Sequence, residues 1–208
     1  MEQNKKPLGY LGGDIMSFGS NLARQYEYDK FIEMELPVDV YSPVQNKSIN
    51  DKSNMTEEEN NTLAEKITAA DIERLWNSDF VVIEPAQTAI GTMCELGCLF
   101  GWAYMANMLL ELCGSVGTID EIADSTEKQQ ELLNKLLNEI VRISQKDVYC
   151  HYFDIRTNHL NEKDWRRSFS INQLLYGMIR YVEKNGDIET FDDIMKQLKE
   201  KYGGDVNE

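Results

Sequence analysis

The residues best suited to chemistry lie where the apolar run Phe80-Val81-Val82-Ile83 gives way to Gly91-Thr92-Met93-Cys94-Glu95-Leu96-Gly97. A buried strand, a turn and a helix start read in that order, with one carboxylate in the first helical turn. Glu95 has two readings. In the local one, Thr92 caps the helix and Glu95, three residues on, closes a capping box. In the chemical one, Glu95 is a nucleophile at the mouth of a pocket, at the carboxyl end of a parallel sheet. First-turn placement would keep the carboxylate ionised through the helix dipole and the free backbone amides. An ionised carboxylate is the form a nucleophile needs.

Other reactive residue types are scattered. Gly12-Gly13-Asp14 ends a first strand, Leu8 to Leu11, where glycines allow positive φ and close approach of a ligand to the backbone. The full dinucleotide fingerprint is absent and Asp14 would repel an anion, so a tight turn is the plainer reading. Asp71, in Ala70-Asp71-Ile72, reads on its own as a solvated helix carboxylate. His151 reads as a sheet histidine with no acidic partner fixed beside it. Cys94 and Cys98, four apart on a helix, could join His151 around a metal. No second tight pair completes that set, so no metal is expected. Cys94, Cys98, Cys113 and Cys150 lie in or beside apolar segments, which suits reduced, buried thiols.

The elements that must position these groups alternate between strand and helix. Ser17 to Asn21 offers capping residues for a helix running to about Met34. Leu36 to Ser42 is a second strand ended by Pro43. The polar stretch from Gln45 to Asn61 reads as an exposed loop. Thr56 with Glu59 forms a capping box for a helix through Leu63, Ile67, Ala70, Ile72, Leu75 and Trp76. Phe80 to Ile83 has the continuous apolar character of a parallel strand covered on both faces. The helix from Thr92 to about Leu112 is apolar nearly all round and should be buried, with Gly114 closing it. Thr118 with Glu121 resembles another capped start, and Leu133, Leu136, Leu137, Ile140 and Val141 form a helical stripe to about Ser144. Asp147 to Phe153 is a fourth strand. Phe169 to Gly177 reads as a short helix, Met178 to Val182 as a fifth strand, and Phe191 to Tyr202 as a final amphipathic helix.

Such alternation implies an α/β fold: an open parallel sheet of five strands with helices on both faces, in flavodoxin-like order. In that order the first and third strands flank a topological switch point, which would place Tyr10 and Glu95 in one crevice. The length, 208 residues, suits a single domain, residues 1–208. The composition is that of a soluble globular protein. A net charge of −15 leaves no basic surplus for a nucleic-acid backbone. The longest apolar runs read as short of a membrane span, and Met1 to Lys6 leads into a strand rather than a signal-peptide core. A cytoplasmic protein, with neither nucleic acid nor membrane as partner, is expected.

Four pieces of the chain resemble the nucleoside 2-deoxyribosyltransferase family: Tyr10-Leu11-Gly12-Gly13 ending the first strand, Ala70-Asp71-Ile72 before the third, Gly91-Thr92-Met93-Cys94-Glu95-Leu96-Gly97 after it, and the late Asn172-Gln173-Leu174-Leu175-Tyr176-Gly177. The resemblance implies that Glu95 attacks the anomeric carbon of a 2′-deoxyribonucleoside, that Tyr10 orients that carboxylate, and that Asp71 faces the base and assists its protonation. It implies substrate contacts from Gly12, Gly13, Asp14, Ala89, Gly91 and Asn172. Asn172 would reach the sugar across a subunit interface, so a homo-oligomer is implied. Ala89 departs from the pattern: it stands where transferases place a sugar-holding aspartate and related monophosphate hydrolases a serine. Lys47, after Asn46, stands where a base-contacting glutamine is expected. Residues 114–145 read as a helical insertion. The implied activity is transfer of 2-deoxyribose between free nucleobases through a glycosyl-glutamate, without a metal or organic cofactor. Hydrolysis of a deoxynucleoside or its 5′-monophosphate, and an inactive nucleoside-binding module, remain as alternatives.

Overall fold

The computed structural model describes residues 6–46, 53, 55–86, 88–115, 127–152, 172–185 and 188–203. Four strands, β1 (Leu8–Gly12), β2 (Asp39–Tyr41), β3 (Phe80–Ile83) and β4 (Asp147–Cys150), form one parallel sheet in the order β2-β1-β3-β4. This is an α/β architecture with β1 and β3 at its centre, consistent with a flavodoxin-like fold. The register pairs Tyr10 with Tyr41 on one side and with Val81 on the other.

Side chains alternate across the sheet, as a period of two requires. Leu11, Phe80, Val82 and Tyr149 share one face, packed with Phe31 of α1 (Phe18–Glu33) and with Phe191, Ile194, Met195 and Leu198 of the last helix, Phe191–Tyr202. Tyr10 projects from the opposite face, where its hydroxyl meets Glu95. Helices therefore lie on both faces. Ser17 caps α1 with a reciprocal capping box to Ser20. Thr190 caps the last helix by accepting from the Asp193 amide.

The structure corrects several expectations. The polar stretch after Pro43 is not one loop. A 3₁₀ turn occupies Pro43–Gln45, and the Thr56–Glu59 box caps a separate short helix, α2 (Glu57–Asn61). Thr62 breaks it from α3 (Leu63–Asn77). The helix expected at Thr92 begins at Ile90 and runs through Gly114 to Ser115 (α4). Thr92 lies inside α4 and buried, so it is no N-cap. Tyr104 and Met105 of α4 are about half exposed, against the expectation of burial all round. The 22-residue stretch Ile90–Glu111, with a mean hydropathy of 1.2 over an 18-residue window, is also long and apolar enough to cross a membrane, contrary to the reading of the apolar runs. Within the described residues 17% of that window is buried, and the first turns of α4 belong to the cavity described below.

The fifth strand does not form. Met178 to Val182 instead completes a helix, Gln173–Val182, which follows α5 (Glu127–Ser144) and is α6; the last helix is then α7. Tyr176, Ile179 and Val182 are its buried residues, a helical spacing that runs straight past the exposed Gly177. The edge of β4 is met by single parallel bridges, Val148 with Glu183 and His151 with Glu189. The Lys184 and Glu189 amides donate to the Val148 and Cys150 carbonyls there. The expected cap at Thr118 and the helix start from Phe169 to Ile171 lie outside the described residues.

The chain divides into two compact units, Met1–Leu96 with Asp147–Glu208, and Gly97–Lys146. The second unit takes in the expected 114–145 insertion and most of α4. The sheet and every residue of the site below belong to the first unit.

Candidate active site

A cavity of about 610 Å³ opens at the carboxyl ends of β1 and β2, where the turns after these strands meet α3 and the start of α4. That volume is of the size that holds small organic ligands. Its walls include Gly13, Asp14, Tyr41, Asn46, Asp71 and Glu95, together with Ala89, Gly91 and Thr92.

Glu95 is the most constrained of these groups. The Tyr10 hydroxyl donates to its Oε1 at 2.7 Å. Its Oε2 is buried and has no hydrogen-bond partner among the described residues. With the helix starting at Ile90, Glu95 falls in the second turn, and no acidic residue occupies the first. The first-turn argument for permanent ionisation therefore fails. Burial pushes the carboxyl up to about 7; the Tyr10 hydrogen bond opposes this and the Asp71 charge adds to it. Tyr10 itself is held far above the usual tyrosine range, by burial first and then by the Glu95 and Asp71 charges, so it stays a donor.

Asp71 lies in the same cavity, on α3, and accepts a hydrogen bond from the Tyr41 hydroxyl at 3.0 Å. Burial raises its carboxyl and the Tyr41 bond opposes the rise. Two tyrosine–carboxylate pairs thus stand side by side, with the Tyr10 and Tyr41 rings 5.7 Å apart.

The glycines work through space rather than unusual torsions, since neither Gly12 nor Gly13 takes a left-handed φ. A Cβ on Gly12 would sit 2.9 Å from Glu95 Oε2, 3.1 Å from the Tyr10 ring and 3.3 Å from Ile83. Gly12→Ala should therefore lower activity at least tenfold, roughly, by tilting the carboxylate, with a stability loss of about 1–2 kcal/mol. Parallel kinetics and urea unfolding check that split. Gly13 makes room for Arg24: a Cβ there would lie 1.4 Å from Arg24 Nη1. A Cβ on Gly91, by contrast, would meet nothing.

Asp14 and Ala89 line the cavity, and Asp14 Oδ1 accepts from the Met16 amide at 2.9 Å. Asn172 is not brought in. It is the exposed N-cap of α6, its Oδ1 accepting from the Leu174 amide at 2.9 Å, and it is absent from the cavity wall. Cys94, Cys98 and His151 do not converge, and no group of three metal-ligating side chains occurs among the described residues.

Beneath the Gly12–Gly13 turn lies a buried charge cluster that sequence reading missed. Arg24 bridges Glu27 Oε1 at 2.5 Å and Glu84 Oε2 at 2.6 Å, and its Nη1 donates to the Gly12 carbonyl at 3.4 Å. His151 Nε2 lies 3.2 Å from Glu27 Oε1, so it does have an acidic neighbour. Burial, with the Arg24 charge, holds this imidazole well below its usual range and therefore neutral. Glu27 is pushed up to about 8, burial outweighing the attraction of Arg24, with Glu84 adding to the rise. The i,i+3 spacing of Arg24 and Glu27 was the one local signal. Tyr41 was also missed as a site residue, although it ends β2 in register with Tyr10.

No family model matches the chain, and no curated protein matches it. Among solved structures it is similar to a conserved protein from Enterococcus faecalis V583, with a TM-score of 0.56 and 16% identity over 94% of this chain and 99% of that one. At that identity the likeness concerns the fold alone, an α/β parallel sheet.

Proposed function

We propose that the chain is an N-glycosidic enzyme of the nucleoside 2-deoxyribosyltransferase type, which moves 2-deoxyribose between nucleobases. The observation that carries this reading is Glu95, with one oxygen held by Tyr10 and the other buried without a partner among the described residues, in the wall of a ligand-sized cavity. A carboxylate arranged in this way can attack an oxocarbenium-like centre.

In this reading Glu95 attacks the anomeric carbon, the bond from that carbon to the base nitrogen breaks, and Asp71 supplies the proton that the leaving base needs. The Tyr10 bond favours the ionised form of Glu95, and the raised carboxyl of Asp71 favours a proton there. A second base then attacks the glycosyl ester at the same carbon and gives its N–H proton to Asp71, returning Glu95 as carboxylate and retaining configuration. Water in place of that base gives hydrolysis.

The cavity wall also bears on the substrate. Asp14, Asp71 and Glu95 line it, and no Lys, Arg or His does among the described residues. Arg24 is fully buried and engaged by two glutamates, so it does not offset this charge. A neutral deoxynucleoside fits such a wall better than a dianionic 5′-phosphate. Incubating the protein with a deoxynucleoside and a second free base should yield the exchanged nucleoside. The 5′-monophosphate should react with at least a tenfold lower kcat/KM, about 1.4 kcal/mol. Free base without exchange would make the protein a hydrolase. Ligand-dependent thermal stabilisation without turnover would make it a binding module and overturn the proposal.

A further inference from the structure

Tyr10 and Tyr41 are register partners on neighbouring parallel strands, and each hydroxyl serves one of the two cavity carboxylates. Tyr41 lines the cavity and is half-buried. Its hydroxyl donates to Asp71 and is itself hydrogen-bonded by the Asn46 side chain, which also lines the cavity. The ring is contacted by Tyr10, at 5.7 Å between centroids, and by the Arg74 guanidinium, at 5.4 Å.

We propose that Tyr41 is the positioning residue for Asp71, fixing the direction in which that carboxyl presents itself to the leaving base. The proposal rests on the glycosyl-transfer reading of the site. Asp71 is on a helix and would otherwise turn freely about two side-chain torsions in a space this large. A tyrosine held by these ring contacts, with Asn46 also hydrogen-bonded to its hydroxyl, removes that freedom. The effect is orientational, of the kind that makes a small misplacement costly in rate.

The same bond has an electrostatic consequence. The groups facing Asp71 are Tyr41 from β2, Tyr10 from β1 and Glu95 from α4, with Arg74 on its own helix and Asp14 in the same cavity wall. Burial favours the neutral acid and the Tyr41 hydroxyl favours the carboxylate. Loss of the hydroxyl therefore leaves Asp71 protonated to higher pH.

The test is Tyr41→Phe in the full chain, read first by a carbon-13 NMR titration of the Asp71 carboxyl and then by exchange kinetics. The titration midpoint should rise by about one pH unit. The kcat should fall about 10- to 100-fold with KM little changed, and the high-pH limb of the rate profile should move up with the titration. A purely structural role for Tyr41 would leave the Asp71 midpoint in place, and that result overturns the proposal whether or not the protein turns over. A shifted midpoint in a protein with no glycosyl transfer or hydrolysis overturns the functional reading instead and leaves the coupling standing. Asn46→Ala, which keeps the ring and removes the amide behind it, should move the midpoint the same way by less. It carries the test if Tyr41→Phe does not fold.

Discussion

Glu95→Gln should abolish base exchange, with kcat/KM falling on the order of a thousandfold or more, while the folded protein gains stability above neutral pH. Glutamine keeps the volume of the side chain and can still accept from Tyr10, so the substitution removes only the nucleophilic carboxylate. The two effects have one cause. Folding raises the Glu95 carboxyl from about 4.5 to about 7, so between these values the folded chain holds a proton that the unfolded chain has released. Wild-type stability therefore falls as pH rises through that window, and the full cost is present above about 7. Relieving it should raise stability at pH 8.5 on the order of 2 kcal/mol and change little below pH 4.5. Thermal melting of both proteins at the two pH values, beside the exchange assay, tests the pairing. Retained exchange in the variant would sink the assignment of Glu95. In the wild type, kcat/KM should rise with pH through about 7, because attack requires the ionised form.

The parts of this site legible in the sequence were those that a period or a turn announces. A continuous apolar run gave β3, a glycine pair ended β1, and neighbouring parallel strands put Tyr10 beside Glu95. The start of α4 misled because Thr92 and Glu95 match a capping box, yet nothing in that pattern says whether the helix has already begun; it begins at Ile90. That offset changes the chemistry. It moves Glu95 from a dipole-stabilised first turn into a half-buried second turn, where desolvation of the carboxyl dominates. Met178 to Val182 misled because a short apolar run with a β-branched end fits a strand and a buried helix face alike. Only the spacing of Tyr176, Ile179 and Val182 separates the two, and it must be read across Gly177. Beyond the i,i+3 spacing of Arg24 and Glu27 the cluster had no signal, since Glu84 stands 60 residues from Arg24 and His151 lies just past the end of β4.

Arg24→Met carries the largest expected loss of stability, about 3–5 kcal/mol near pH 8. Arg24 has no exposed surface, and its two carboxylate partners are buried with it. Methionine fills much of the volume but leaves Glu27 and Glu84 facing each other without a cation. Burial already holds Glu27 up to about 8 with the guanidinium present. Without it, that carboxyl rises further, and burying it charged beside Glu84 becomes the cost. The loss should therefore shrink as pH falls and Glu27 takes up a proton, so urea unfolding at pH 5 should show a smaller deficit than at pH 8.5. Glu84→Gln in the Arg24→Met background should recover part of the loss, because a buried ion pair costs most when only one side of it is removed. Gly13→Ala should reproduce the Arg24→Met phenotype without touching a charge, since its Cβ needs the space the guanidinium occupies. Equal stability of Gly13→Ala and wild type would contradict this account. The cluster matters to the site as well as to the fold. Arg24 joins the Gly12 carbonyl, at the end of β1, to Glu84, just past β3, and these two strand ends carry Tyr10 and the turn that leads to Glu95. Among variants that still fold, a weakened clamp should lower kcat more than it raises KM, because the carboxylate must be aimed within a fraction of an ångström while the cavity wall itself survives.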